Sequence, residues 1–231
     1  MKVVVALGGE IADGALLRHW VEGAELTIAA DSGADGLAGI GLRPDAVIGD
    51  FDSLPPERVE ELRRGGVEIV PHPDPQRRTD GQVALELALE RGAAEVVLLG
   101  ARGGERLDHS LTNALFLASE EFASMPIRLI SGWTEAVGLF GEASGYGRGV
   151  VTFAGEPEDY VSLVAVSERL GQVSTHGLAW SLEEASLSLG TPGGMSNELV
   201  AERGGFTLGE GVAIATHTYR QARFSSGPFP A

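Results

Sequence analysis

Residues 46–53 read Ala46-Val47-Ile48-Gly49-Asp50-Phe51-Asp52-Ser53, a short apolar strand that runs straight into two aspartates. A β-branched run bounded by glycine suits a strand covered on both faces, the habit of parallel sheets in α/β proteins. Polar residues at its carboxyl end then fall where ligands bind in such sheets. In an extended segment residues i and i+2 point the same way. Asp50 and Asp52 are therefore expected to face one spot, with Phe51 turned into the core. Two close carboxylates repel unless a cation or proton lies between them. Magnesium, which takes hard oxygen ligands from carboxylates and substrate phosphates, meets that need. A competing reading makes Asp52 or Ser53 a cap for a helix opening at Pro55-Pro56.

The flanking sequence repeats this grammar. Strands are predicted at 3–7, 26–30, 67–70, 96–99 and 127–130, and helices at 12–21, 33–40, 56–64, 80–91 and 109–121. The fold class is α/β: a mainly parallel N-terminal sheet with flanking helices. Beyond it, glycines 138, 141, 145, 147 and 149 read as a hinge. Short alternating strands follow near 150–154, 160–166, 172–178, 185–189, 198–203 and 211–216, which predicts a C-terminal antiparallel β-sandwich. The expected domains are 1–140 and 141–231, with a frayed tail at 225–231.

Composition narrows the function. The 231-residue chain is 43% hydrophobic, enough for a sizeable core, and has no cysteine, which excludes thiolate metal sites and cysteine nucleophiles. Its net charge of −16 argues against a nucleic-acid partner. No apolar run reaches the length of a membrane span, so a soluble cytoplasmic protein is expected. Lys2 is the sole lysine, which rules out a Walker-type phosphate loop. A nucleotide must be held by arginine, backbone amides and metal.

Four polar loops follow successive predicted strands: Asp31-Ser32-Gly33, Gly49–Ser53, Gln76…Thr79-Asp80 and Arg106-Leu107-Asp108-His109. Asp80 makes a third metal ligand beside Asp50 and Asp52, although Thr79 also reads as a plain N-cap. Gly103-Gly104 and the helix start after Arg106 offer free amides and a guanidinium to a phosphate. Asp108 as a cap and His109 as a buried, hydrogen-bonded histidine compete with that reading. His19, His72, His176 and His217 lack ligand spacing and are read as structural.

Taken in order, Asp31-Ser32-Gly33-Ala34-Asp35, Pro44-Asp45…Gly49-Asp50-Phe51-Asp52-Ser53, Gln76…Thr79-Asp80 and Gly103-Gly104…Arg106-Leu107-Asp108-His109…Asn113 resemble the thiamine pyrophosphokinase family. Gly177-Leu178-Ala179-Trp180-Ser181-Leu182 and Ser196-Asn197-Glu198 are similar to its vitamin-binding half, so the likeness spans about residues 28–200. The resemblance implies transfer of the pyrophosphoryl group of ATP to the hydroxyl of thiamine, giving AMP and thiamine diphosphate. It implies Mg²⁺ on Asp50, Asp52 and Asp80, with Arg106 and Asp108 in the reaction region. ATP would meet Asp31, Gln76, Thr79, Arg106, His109 and Asn113. Trp180, Ser196 and Asn197 would contact thiamine from the partner in a homodimer with sites at the subunit interface. Without the resemblance, Trp180 reads equally well as a core tryptophan of the sandwich.

The chain departs from the family pattern at Arg77, Arg78, Gln82, Val83 and the extra Glu105. Arg77 or Arg78 is expected to replace the missing lysine as a phosphate clamp. Two rivals remain open at this stage: a pyrophosphokinase acting on a hydroxymethyl-pterin, and a nucleotide- or thiamine-phosphate-binding sensor without turnover.

Overall fold

The structure is a computed structural model that describes residues 1–103 and 106–220; Gly104, Glu105 and the tail at 225–231 lie outside the described residues. The chain forms two compact units, Met1–Phe116 with Met125–Gly132, and Leu117–Ser124 with the chain from Trp133 onward.

The first unit is built on parallel strands β1 (Lys2–Ala6), β2 (Leu26–Ala30), β3 (Ala46–Gly49), β4 (Glu68–Pro71), β5 (Glu95–Leu99) and β6 (Ile127–Ser131). Their order is β6-β5-β1-β2-β3-β4. From β1 the chain builds outward to β4, then returns to the other side of β1 for β5 and β6. The order reverses between β1 and β5, which is where open α/β sheets bind ligands. Val3, Val4, Val5, Leu98 and Leu99 are buried, each contributing about 2 kcal/mol of apolar transfer.

Five α-helices flank the sheet: α1 (Ala15–Val21), α2 (Gly33–Gly39), α3 (Pro56–Arg64), α4 (Asp80–Glu90) and α5 (Leu107–Leu115). Helix α4 lays Val83, Ala84, Leu85 and Ala88 against β1, β2 and β3. Its spacing of apolar residues therefore fixes Asp80, its first residue, beyond the carboxyl ends of those strands. Helix α5 is shorter than the predicted 109–121, because 3₁₀ turns follow at Phe116–Ala118 and Glu120–Phe122.

The second unit is an antiparallel sandwich. One layer has the order β12-β9-β14-β7, from β7 (Thr134–Phe140), β9 (Tyr160–Ala165), β12 (Asn197–Glu198) and β14 (Val212–Thr218). The other has the order β11-β10-β13-β8, from β8 (Val150–Ala154), β10 (Arg169–His176), β11 (Ala185–Ser188) and β13 (Arg203–Thr207). Strand β14 alternates strictly, with Ala213, Ala215 and His217 inward. Val161, Leu163, Leu170, Val173, Phe153 and Phe206 complete the shared core.

Two features differ from the sequence expectation. Strand β7 runs through Gly138, the first glycine of the predicted hinge. A Cβ there would collide with the Leu117 carbonyl, so close backbone approach requires glycine at that position. The strand expected at 198–203 resolves into the two-residue β12 and the later β13, whose Gly204-Gly205 conceal any strand signature.

Candidate active site

A cavity of about 460 Å³ opens at the carboxyl edge of the first unit's sheet. Leu7, Gly8 and Gly9 after β1 and Gly100 and Ala101 after β5 form its floor at the switch point. Gly100 sits at φ +64, where the turn favours glycine. Asp31, Asp50, Asp52, Ser53, His72, Arg78, Thr79, Asp80, Arg106, His109 and Asn113 line the rest.

The acidic cluster is built by a turn rather than by an extended strand. Strand β3 ends at Gly49, and Phe51 adopts φ +62 and is only half-buried, not turned into the core. That left-handed residue folds the chain so that the Asp52 amide donates to Asp50 Oδ1 at 3.2 Å. The helix-cap reading fails as well: α3 has Pro55 as its N-cap and no side-chain cap bond. Ser53 instead donates its hydroxyl to Asp31 Oδ2 at 2.6 Å.

Asp31 is the buried member, 5% exposed and itself left-handed at φ +45. Its Oδ2 takes both the Ser53 hydroxyl and, at 3.3 Å, the Ser53 amide, while its Oδ1 is buried without a partner. Burial pushes the Asp31 carboxyl above the ordinary range; the Ser53 bonds oppose this, and the charges of Asp52 and Asp50 add to it. Carboxylate oxygens of Asp31, Asp50 and Asp52 lie within 4.8 Å of one another. Only hard oxygen donors meet here, and one buried oxygen lacks a partner, so the set fits a cation such as magnesium.

Asp80 enters from α4, after an N-cap Thr79 whose hydroxyl accepts the Gln82 amide at 3.2 Å. The plain-cap reading of Thr79 thus holds, and the residue also lines the cavity. Burial raises the Asp80 carboxyl, and the Asp31 charge raises it further. Arg106 binds Asp108 through two bonds of 2.9 and 2.7 Å, and that bond holds the Asp108 carboxyl well below the usual carboxylate range. Both side chains are exposed. His109 is exposed too, not buried, and Asn113 donates to the Ala101 carbonyl at 3.2 Å.

The two arginines before Thr79 differ. Arg78 lines the cavity and donates to Glu86 at 2.6 Å, whereas Arg77 is exposed and outside the lining. Gln76, expected at ATP, is likewise exposed and not among the lining residues. The sequence reading missed His72 as part of this site, and Ser53, a member of its Gly49–Ser53 motif, was given no role there beyond a helix cap. His72 follows β4 at the same sheet edge as Asp31 and Asp50, and that strand-end position was the available signal.

In the second unit Asn197 clamps the Trp180 backbone: its Oδ1 accepts the Trp180 amide at 2.9 Å and its Nδ2 donates to the Trp180 carbonyl at 2.7 Å. Trp180 is 56% exposed, which excludes the core reading. Ser196, at φ +57, is exposed and anchored through its amide to the Ser162 hydroxyl at 2.9 Å. The three residues expected to meet thiamine therefore form one neighbourhood.

Residues 17–129 match the family model described as thiamin pyrophosphokinase, catalytic domain, and residues 151–213 match thiamin pyrophosphokinase, vitamin B1 binding domain. A thiamine pyrophosphokinase of Bacillus subtilis (strain 168) is 28% identical over 191 residues, covering 82% of this chain and 85% of its own. The crystal structure of thiamin pyrophosphokinase from Geobacillus thermodenitrificans superposes with a TM-score of 0.77 at 27% identity, covering 96% of this chain and 99% of that one. The Bacillus subtilis crystal structure gives a TM-score of 0.79 at 24% identity over 95% of this chain and all of that one, a likeness of fold.

Proposed function

The chain belongs to the thiamin pyrophosphokinase family, a family of diphosphotransferases, and from that premise we propose how its residues divide the work. The acidic cluster carries the reading, because Asp31, Asp50 and Asp52 converge with a buried, unpartnered Asp31 oxygen in a cavity at the switch point. ATP is bound there, and the thiamine hydroxyl forms its new bond to the β-phosphorus as the bridge to the α-phosphate breaks and AMP leaves. Asp50, Asp52 and Asp80, with Asp31 beside them, would hold Mg²⁺, which when bound would neutralise charge on the phosphates. The protein's own part is positioning and electrostatics, as phosphoryl transfer requires.

Arg106, kept in place by Asp108, offers its guanidinium at the start of α5, and Thr79, His109 and Asn113 bound the nucleotide space. Arg78 takes over the clamp of the absent lysine. Replacing Arg78 by alanine is expected to raise the KM for ATP about tenfold, in line with the loss of a charge-assisted bond, while Arg77→Ala leaves it unchanged. Initial rates over an ATP series check both.

Trp180, held by Asn197 and flanked by Ser196, stacks on the cationic thiazolium or the flat pyrimidine of thiamine. Trp180→Ala should raise the KM for thiamine about tenfold and leave that for ATP unchanged. The proposed assembly is a homodimer. Leu107, Leu111 and Leu115, exposed at four-residue spacing on α5, and the exposed Tyr160 and Val164 on β9 are apolar surface for a second copy to cover. No helix among the described residues is long and apolar enough to cross a membrane, and a cysteine-free chain suits a cytoplasmic enzyme.

The deciding experiment incubates the protein with ATP, magnesium and thiamine and measures AMP and thiamine diphosphate. Their appearance supports the proposal. AMP with a hydroxymethyl-pterin but not with thiamine, or ATP binding without turnover of either alcohol, overturns it.

A further inference from the structure

His72 follows directly from the end of β4, and its side chain is 1% exposed. The Asp74 amide donates to its Nδ1 at 3.0 Å. A ring nitrogen that accepts carries no proton, so the neutral ring must bear its hydrogen on Nε2. That Nε2 is buried without a hydrogen-bond partner, and it lies 3.9 Å from Asp80 Oδ1, in the wall of the cavity. Among the described residues it is the only basic nitrogen within 4.0 Å of the Asp80 carboxylate. A buried donor with no partner is costly.

We propose that His72 is the positioning residue of Asp80: the Asp74 amide fixes its tautomer and so aims Nε2–H at the Asp80 carboxylate from 3.9 Å, and closure of that gap orients the carboxylate toward the acidic cluster. Ligating carboxylates depend on such outer partners for orientation, and losing one commonly weakens metal binding 10–100-fold. In this chain the donor comes from the β4–α4 loop, the same loop that carries Arg78. The inference rests on Asp80 belonging to the cation site, and its test does not need thiamine.

Two substitutions separate positioning from loop packing, because each keeps one half of the imidazole. His72→Asn keeps an acceptor for the Asp74 amide and loses the donor toward Asp80. His72→Gln carries an amide nitrogen out to the Nε2 position and gives up the acceptor near Asp74. Manganese is titrated into each protein with ATP present and thiamine absent, and free ion is read by its paramagnetic resonance signal. His72→Asn should bind manganese at least tenfold more weakly with an unchanged melting temperature, while His72→Gln stays near wild type. In turnover, His72→Asn should lower kcat and leave the KM for thiamine unchanged. Wild-type uptake by His72→Asn, weaker uptake by His72→Gln than by His72→Asn, or failure of His72→Asn to fold would each overturn the proposal. If wild type takes up no manganese, the metal role of the cluster falls with it, whereas loss of thiamine turnover alone touches only the substrate.

Discussion

Asp50→Asn or Asp52→Asn is expected to lower the rate of AMP release with ATP, magnesium and thiamine by about a thousandfold, with the fold unchanged. The size follows from what the carboxylates do. A cation among phosphate oxygens stabilises several kcal/mol of developing charge, and about 4 kcal/mol corresponds to that rate factor. An asparagine keeps the shape and one oxygen but removes the charge that draws the ion in. The fold should not notice. Both aspartates are exposed, and the one hydrogen bond involved, from the Asp52 amide to Asp50 Oδ1, can be accepted by an asparagine oxygen. Without metal the two charges and Asp31 repel one another, so each variant should melt at or above the wild-type temperature in chelator. With magnesium and ATP the order should reverse, because only the wild type gains ligand binding energy. Thermal melts in the two conditions, set beside AMP release, check this; equal turnover in variant and wild type would remove the metal from the proposal.

Much of this site could be read before the fold was known, for a definite reason. Apolar strands that run into aspartate place Asp31 and Asp50 at one sheet edge, and the apolar spacing of α4 brings Asp80, its first residue, to the same edge. How they meet was not readable. The turn at Phe51 needs a left-handed backbone at a bulky residue, which no propensity anticipates, so Asp50 and Asp52 meet through a turn and not through strand alternation. Ser53 looked like a helix cap because Pro55-Pro56 follows, yet Asp31, 22 residues earlier, claims its hydroxyl. His72 was passed over since a lone histidine has no spacing to recognise; only its tautomer and its neighbour give it a role. In the sandwich, β14 was legible from its alternation, whereas β7 and β13 were not, because Gly138 and Gly204-Gly205 serve backbone approach and carry no pattern.

The largest effect on stability should come from His217, the polar residue at an inward position of β14. Its side chain is fully buried, with Nδ1 3.2 Å from Glu135 Oε1 on β7 and Nε2 3.1 Å from Asp159 Oδ2. Tyr219 donates its hydroxyl to the same Glu135 oxygen at 2.7 Å, and the Arg220 and Glu156 amides donate to Asp159. Burial by itself lowers the proton affinity of His217, but the bonds to Asp159 and Glu135 outweigh it, and the net shift is upward. Burial likewise raises the Asp159 carboxyl, and its bonds to His217 and the two amides bring it net below the ordinary range. The signs then give a window. The histidine's contribution is complete below its unfolded value of about 6.5 and fades as pH rises through its higher folded value. The aspartate's is complete above about 3.9 and fades as pH falls through its lower folded value. Both are whole between about pH 4 and 6.5, and the sandwich should lose stability on the alkaline side first. His217→Ala removes the ring that both buried carboxylates bond and should cost about 3–5 kcal/mol. Hydrogen exchange at β7 and β14 reads the second unit separately from the first. A loss in the variant of the wild type's pH slope above about 6.5, together with faster exchange, is the expected result. If His217→Ala exchanges as slowly as wild type at pH 6, the buried ions are not what holds these strands together.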